Sequence, residues 1–354
     1  MNLNFLCQFN ETGVGRHCER TFSAIAKFKP ADWNLHYLEY GDKDSLRRLL
    51  TQTNPQTDHT IAFWRLPVDF LAQIHGRKIG WLFFESDRLP QTWLEQMDAF
   101  DKLWMPTDWG RDVLIAHGLS NDKIRVVTCS VNESVYLPRP AAHEGFVFLL
   151  VGKFEKRKSL GETVRAFSEE FPASVWPTVE LWIKADNPLF PERLTRLQAL
   201  CAHDRRIRII SGVFTDEQMA RLYNHADAFV FPTKAEGFGL PTIEALACGV
   251  PVITTNYGGQ QVFLKHVQGL YYPVSYEMAD IVDIDFDHFY GKQYQGQGYG
   301  RWAIPSIDSI RAGMREVFSQ RDSWRERAMR ASEIIRTEFS MERIARQAMA
   351  ALTE

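Results

Sequence analysis

Short apolar runs alternate with helix-length amphipathic segments along almost the whole chain, and this alternation restricts the fold more than any other feature. Runs that are apolar at consecutive positions, such as Trp81-Leu82-Phe83-Phe84, place apolar groups on both faces of a strand. Such strands suit a parallel sheet covered by helices on each side. The pattern predicts strands over Leu3–Phe9, Leu35–Glu39, Ile61–Trp64, Ile79–Phe84, Lys102–Met105 and Arg125–Thr128. Helices are expected between them at Arg16–Phe28, Val68–Ile74, Thr92–Phe100 and Arg111–His117. The alternation pauses at Asn132–Glu144, a weakly hydrophobic stretch with Pro138 and Pro140 that reads as a linker. It then restarts, with strands expected at Phe146–Val151, Val179–Lys184, Arg208–Ile210, Ala228–Phe231 and Pro251–Thr254. The helices of this half are expected at Ser159–Glu169, Pro191–Cys201, Asp216–Asn224 and Pro241–Cys248. Right-handed strand–helix units in this number predict two doubly wound α/β domains in tandem, 1–140 and 141–305, followed by a charged helical segment, 306–354. Gly291–Gly300 is expected as a surface loop, with no strand after residue 306.

Composition narrows the function classes. Lys and Arg number 41 against 44 Asp and Glu, a net charge of −3, which argues against a nucleic-acid binder with a broad cationic surface. No run reaches the ~18–20 apolar residues that span a bilayer, and Met1–Phe9 lacks the basic start of a signal peptide. The five cysteines (Cys7, Cys18, Cys129, Cys201, Cys248) are scattered and never form a C-x-x-C pair. Neither a disulfide framework nor a zinc site is expected, and a reduced, cytoplasmic chain is the default. Aromatic residues make up 13% of the chain, and six of the 10 Trp (Trp33, Trp64, Trp81, Trp93, Trp104, Trp109) fall before residue 140. Rings in this number imply large buried areas, or surfaces that stack on sugars or bases. Lys27 and Lys29 beside Phe22, Ile25 and Phe28 leave peripheral contact with an anionic membrane open, against the simpler reading of a core-facing helix.

The densest chemical signal is Pro232–Gly259, PTKAEGFGLPTIEALACGVPVITTNYGG. A strand runs into a loop with Gly237 and Gly239, and Pro241 stands where a helix should begin. Two glycines let the backbone approach a ligand, and the helix start offers amides to an anion. Glu236 and Glu244 flank this turn. A carboxylate beside bound phosphate is unfavourable, so these two suit neutral hydroxyls instead. Amides for phosphate and carboxylates for hydroxyls describe a nucleotide sugar. The simpler alternative is an acid complementing the helix dipole with glycines turning the chain, which accounts for Glu244 but not for Glu236.

The seven-residue spacing between Glu236 and Glu244, with GFGLP between and EALACGVPVI after, resembles retaining glycosyltransferase family 4 of the GT-B fold. The resemblance implies two Rossmann-like domains facing a cleft, with the terminal helices crossing back to the first. It implies that Glu236 binds the transferred sugar, Glu244 the ribose, and the Gly237-Phe238-Gly239-Leu240 amides the donor. It also gives roles to weaker elements. Lys153 and Lys158 in VGKFEKRK match a basic pair on the diphosphate, although the first is commonly Arg. In isolation that string also reads as a solvated charged loop. Gly13 and Gly15 in NETGVGR face the same diphosphate from the first domain, or simply turn strand into helix; the dinucleotide fingerprint fails because Cys18 replaces its third small residue. Val213 in SGVF marks the nucleobase position. Glu85 in WLFFESDRLP occupies a region where relatives carry a His, as a ligand or base, or alternatively as a cap or a partner of Arg88. Asn256-Tyr257-Gly258-Gly259 matches a late Gly-Gly turn, followed here by Gln260 rather than an acid.

Asp283, Asp285 and Asp287 spell the metal signature of the other large transferase fold, but lie outside any matching context and read as an acidic turn. The expectation is therefore a metal-independent, retaining transferase without a cofactor, using a UDP- or GDP-sugar and a hydroxyl acceptor. An epimerase or phosphorylase on the same fold, or a non-catalytic nucleotide-sugar-binding protein, is the alternative.

Overall fold

The computed structural model describes residues 1–8, 13–41, 43–185, 192–283, 293–294 and 298–354. They form two compact units. The first comprises Met1–Ser130, Phe339–Glu354 and the described residues of Phe286–Gly300, and the second comprises Val131–Asp285, as far as described, and Arg301–Glu338. The expected borders at 140, 305 and 306 thus fall elsewhere: the first stretch ends at Ser130, before Pro138 and Pro140, and both the described residues of Phe286–Gly300 and the last helix belong to the first unit.

In the first unit, β1 (Asn2–Gln8), β2 (Asn34–Tyr40), β3 (His59–Ala62), β4 (Arg77–Trp81), β5 (Lys102–Met105) and β6 (Ile124–Val126) form one parallel sheet in the order β2-β1-β3-β4-β5-β6. The helices are α1 (Gly13–Phe28), α2 (Lys43–Leu49), α3 (Val68–Leu71), α4 (Gln91–Asp98) and α5 (Asp108–Ala116). Leu6, Leu82, Met97, Leu103 and Leu114 pack on one side of the sheet. Phe5, Phe63 and Trp81 stack and Trp104 meets Trp81 edge-on, each centroid 5.0–6.2 Å from the next. Trp81 and Trp104 are fully buried and Trp33 and Trp93 nearly so, which answers most of the ring excess with core packing. Each such side chain contributes about 1.5–3 kcal/mol by burial. The final helix, Met341–Thr353, packs on α1. It is pinned to β6 where the Gln347 amide donates to the Val126 carbonyl at 3.1 Å.

Three expectations change here. Cys7 on β1 and Cys18 on α1 form a disulfide with Cα atoms 6.2 Å apart, against the expectation of an all-reduced chain. α1 lies against β1, so residues eleven apart meet without any C-x-x-C spacing. The helix α1 begins at Gly13, not Arg16, so Gly13 and Gly15 lie in its first turn; residues 9–12 of the expected glycine loop are outside the described residues. The Gly291–Gly300 stretch is not a free surface excursion where it is described. Tyr294 is buried and donates to the Arg88 carbonyl at 2.9 Å, Trp93 Nε1 donates to Gln293 Oε1, and Ser86 Oγ donates to the Tyr299 carbonyl.

The second unit runs, in chain order, β7 (Phe146–Val151), α6 (Leu160–Glu170), β8 (Val179–Lys184), α7 (Glu192–Cys201), β9 (Ile207–Ile210) and α8 (Asp216–His225). Next come β10 (Ala228–Phe231), α9 (Leu240–Ala247), β11 (Val252–Thr255), α10 (Gln261–Leu264) and β12 (Tyr272–Val274). The sheet order is β12-β11-β10-β7-β8-β9. Phe148, Leu150, Phe167, Phe171 and Leu181 build the core together with Met314 and Trp324 from α11 (Ile307–Ser319) and α12 (Arg321–Glu338). An antiparallel pair of β13 (Tyr276–Asp280) and β14 (Arg301–Pro305) completes the unit. The sequence pattern missed β12–β14 for physical reasons. β12 is a three-residue edge strand containing Pro273, and every residue of β13 is exposed, so neither carries apolar alternation.

Candidate functional site

The strand order puts β7 and β10 side by side. Their connections leave in opposite directions, β7 toward β8 and β10 toward β11. At such a switch point the loops leaving the carboxyl ends of the two strands diverge and leave a crevice for a ligand. The loops in question are Gly152–Ser159 and Pro232–Gly239, which hold the charged pair and the first acid of the sequence motif.

The first loop closes in a short 3-10 turn, Lys156–Lys158, and then passes through Ser159 at φ +54°. Ser159 is the only non-glycine with positive φ among the described residues. This left-handed residue starts α6 and leaves Lys158 buried, at 9% exposure, rather than in solvent. The second loop is buried from Pro232 through Gly239. Its backbone is stitched to the first: Lys234 N donates to the Arg157 carbonyl at 2.8 Å, and Arg157 Nη1 donates to the Ala235 carbonyl at 2.7 Å.

Three donors converge on one oxygen of Glu236. Lys158 Nζ lies 2.6 Å from Oε1, Thr233 Oγ1 2.9 Å and Arg157 Nη1 3.0 Å. Oε2 accepts none of these bonds and is not among the sealed, unpartnered atoms of the interior. The carboxylate is thus saturated on one side and presents its other oxygen as an acceptor. Burial pushes the Glu236 carboxyl up, but the Lys158 and Arg157 charges outweigh it and hold the acid below the usual carboxylate range. Burial, and then the Arg157 charge, also push the Lys158 ammonium below its usual range, with Glu236 opposing.

Gly239 caps α9 at φ +99°, and a Cβ there would meet Gln260 Cγ at 2.7 Å. Pro241 has no N–H and the Thr242 and Ile243 amides donate to the Gly239 carbonyl, so the amides offered to an anion are those of Leu240 and the glycine loop before it, with the α9 dipole behind them. Phe238 is buried against Phe263, ring centroids 5.4 Å apart, so its backbone rather than its ring is available to a ligand, while Leu240 is half-buried. Glu244, one turn on, is buried and accepts from Tyr223 OH at 3.1 Å. Burial, and then Glu244, push the Tyr223 phenol well above its usual range, so it stays a proton donor to the acid.

The late Gly-Gly turn has a structural task that its sequence only partly announced. Gly259 N donates to the Glu236 carbonyl at 2.8 Å, and a Cβ on Gly259 would overlap the Gly237 carbonyl. Gln260, which follows the turn where the resembled family often carries an acid, is fully buried; its Oε1 accepts from Thr242 Oγ1 and its Nε2 donates to the Thr255 carbonyl at 3.2 Å. Gly259→Ala is expected to displace the acid loop, costing about 1–3 kcal/mol of stability. Melting curves check this; a wild-type value would show that the turn does not clamp the loop.

The structure therefore brings Glu236 and Lys158 into contact and sets the Gly237–Leu240 backbone and Glu244 on the same turn and helix. Lys153 is half-buried in the β7 loop, without a side-chain hydrogen bond or ion pair among the described residues. Val213 is 55% exposed in a loop that Lys184 pins by donating to the Gly212 carbonyl at 2.6 Å. Gly13, Gly15 and Glu85 belong to the first unit. Sequence reasoning missed Arg157, Thr233, Gln260 and Tyr223. For Arg157 the signal was present but crowded by its cationic neighbours. Of the acidic triplet, Asp285 and Asp287 lie outside the described residues.

Comparison with known proteins bears on the same stretch. Residues 145–283 match the family described as Glycosyl transferases group 1. Over 111 residues the chain is 36% identical to the serotype-specific mannosyltransferase WbdA of Escherichia coli, a match covering 30% of this chain and 13% of that protein. Over 175 residues it is 29% identical to the O-antigen chain mannosyltransferase B of Escherichia coli, covering 46% of this chain and 45% of that one. The matches thus span less than half the length of these curated relatives. Anabaena HepE, solved in complex with UDP and glucose, has a TM-score of 0.75 at 13% identity over 100% of this chain and 99% of that chain. The fold is that of the GT-B glycosyltransferases, two Rossmann-like α/β units, and the group 1 match lies wholly in the second of them.

Proposed function

We propose that the protein is a glycosyltransferase that moves a sugar from a UDP- or GDP-linked donor to a hydroxyl of a saccharide or lipid-linked acceptor. The reading further assigns retention at the anomeric carbon, no metal ion, and a place on the cytoplasmic side, at the inner face of a membrane when the acceptor is lipid-linked. The observation that carries it is Glu236, with three donors on Oε1 and Oε2 left to accept, beside a glycine loop and helix start at the β7/β10 switch point. A carboxylate so arranged orients sugar hydroxyls, while the amides of the Gly237–Leu240 turn with Lys153 and Lys158 hold the diphosphate. In the transfer step the bond from the anomeric carbon to the diphosphate oxygen breaks, and the acceptor oxygen bonds to that carbon on the same face. The acceptor proton passes to the departing phosphate oxygen, and the two lysines stabilise the charge that develops there. Glu244 takes the ribose, Val213 borders the nucleobase, and Glu85 is the first unit's candidate contact for the acceptor hydroxyl. The group 1 match and the names of the mannosyltransferase relatives support the class.

A thermal-shift panel of UDP-, GDP- and ADP-sugars tests the reading. Ligand at a hundred times its Kd adds about 2.7 kcal/mol, so the true donor stands out by several degrees. Absence of a shift with every nucleotide sugar, and of transfer to any hydroxyl acceptor, would overturn it.

A further inference from the structure

Lys158 is asked to do two things. It is the nearest cation to Glu236 Oε1, at 2.6 Å, and under the proposed function it must also serve the donor diphosphate. A lysine that turned wholly to phosphate would leave a buried carboxylate short of charge, which is costly. Arg157 offers the remedy. Its Nη1 reaches the same Oε1 at 3.0 Å and the Ala235 carbonyl at 2.7 Å, so it is fixed at the Glu236 loop by two bonds. Its Nη2 lies 3.5 Å from Glu155 Oε2, and Arg193 approaches the other Glu155 oxygen at 3.9 Å. The guanidinium is thus tied down on three sides and is not the mobile member of the cluster. The ammonium, on a flexible stem with three rotatable donors, is free to share itself.

We propose that Arg157 is a positioning residue that keeps Glu236 paired, so that Lys158 can turn to the donor diphosphate. The proposal rests on the donor site assigned above. Without Arg157, Lys158 is the sole cation on Glu236 and is retained there, so phosphate binding weakens although no phosphate contact has been deleted. A guanidinium that touches phosphate itself, or one that merely holds the loop together, makes a different prediction when Glu236 is neutralised.

The test is a double-mutant cycle on full-length protein, with UDP and GDP as probes in titration calorimetry. Arg157→Gln is expected to weaken binding of the preferred diphosphate about tenfold, and Arg157→Lys to restore most of it. In the Glu236→Gln background, Arg157→Gln is expected to change binding by less than twofold, because no carboxylate then retains Lys158. Equal losses in both backgrounds would overturn the proposal in favour of direct phosphate contact or loop collapse, and melting curves of the four proteins separate those two. No loss in either background would also overturn it. Glu236→Gln with full transfer activity would instead remove the donor-site reading, and failure of wild type to bind either diphosphate would remove both.

Discussion

Glu236→Gln is expected to lower transfer about 10²–10³-fold, the scale seen when one charge-assisted contact to a reacting group is removed. The amide is nearly the same size, and its oxygen still accepts from Lys158, Thr233 and Arg157, whose present distances to Oε1 are 2.6, 2.9 and 3.0 Å. What disappears is the negative charge behind the second oxygen, which becomes an NH2 donor turned toward groups that are themselves donors. The substitution also leaves two cations facing a neutral side chain. Breaking a buried pair in this way costs up to about 3–5 kcal/mol, so activity must be scaled to the folded fraction at the assay temperature. Steady-state kinetics with the donor found in the panel supply the check. The expected result is a fall in kcat larger than any rise in donor KM, because the nucleotide contacts that the proposed function gives to the Gly237–Leu240 amides and Glu244 are untouched. Full turnover by a well-folded Glu236→Gln protein would sink the assignment of Glu236 as the sugar ligand.

Much of this arrangement was legible because the motif is contiguous. Glu236, Gly237, Gly239 and Glu244 lie within nine residues, and a strand end followed by a helix start fixes how such a string folds. The strands were equally plain wherever both faces are covered; Lys102–Met105, Phe146–Val151, Val179–Lys184 and Ala228–Phe231 have the bounds that the apolar runs predict. Legibility failed where a contact depends on chain segments far apart in sequence. Arg157 meets Glu236 across 79 positions, and Gln260 meets Thr242 across 18, so neither spacing carries a periodic signal. Arg157 was additionally hidden among Lys153, Lys156 and Lys158, where a reading by residue type alone favours the pair that matches a known pattern. The Cys7–Cys18 pair was missed because the packing of α1 on β1, not a cysteine motif, brings the two sulfurs together. Edge elements such as β13, exposed along its whole length, carry no burial pattern to read.

A histidine that the sequence did not single out sets the pH dependence of the first unit. His17 on α1 is 2% exposed and boxed edge-on by Trp81, Phe83 and Phe63, with centroids at 4.6, 5.2 and 5.5 Å. Its Nδ1 lies 3.3 Å from Thr21 Oγ1, and its Nε2 has no hydrogen-bond partner among the described residues. Burial first, and the Arg20 charge second, lower its pKa from 6.5 to about 3. The folded state therefore keeps the ring neutral where the unfolded chain already binds a proton. Stability contributed by this group is complete above pH 6.5 and is lost as pH falls toward 3, by about 1.4 kcal/mol for each unit within that window. Urea unfolding followed by tryptophan fluorescence, with Trp81 as the adjacent reporter, should show the first unit losing about 2 kcal/mol between pH 6.5 and pH 5. His17→Phe fits an aromatic box and carries no titrating proton, so its curve should be flatter by that amount over the same interval. His59 and His225 shift in the same direction but are much less buried, and Glu236 acts only below the ordinary carboxylate range, so the comparison with His17→Phe isolates one ring. Parallel curves for wild type and His17→Phe would show that the imidazole gains its proton inside the fold without cost, contrary to its sealed surroundings.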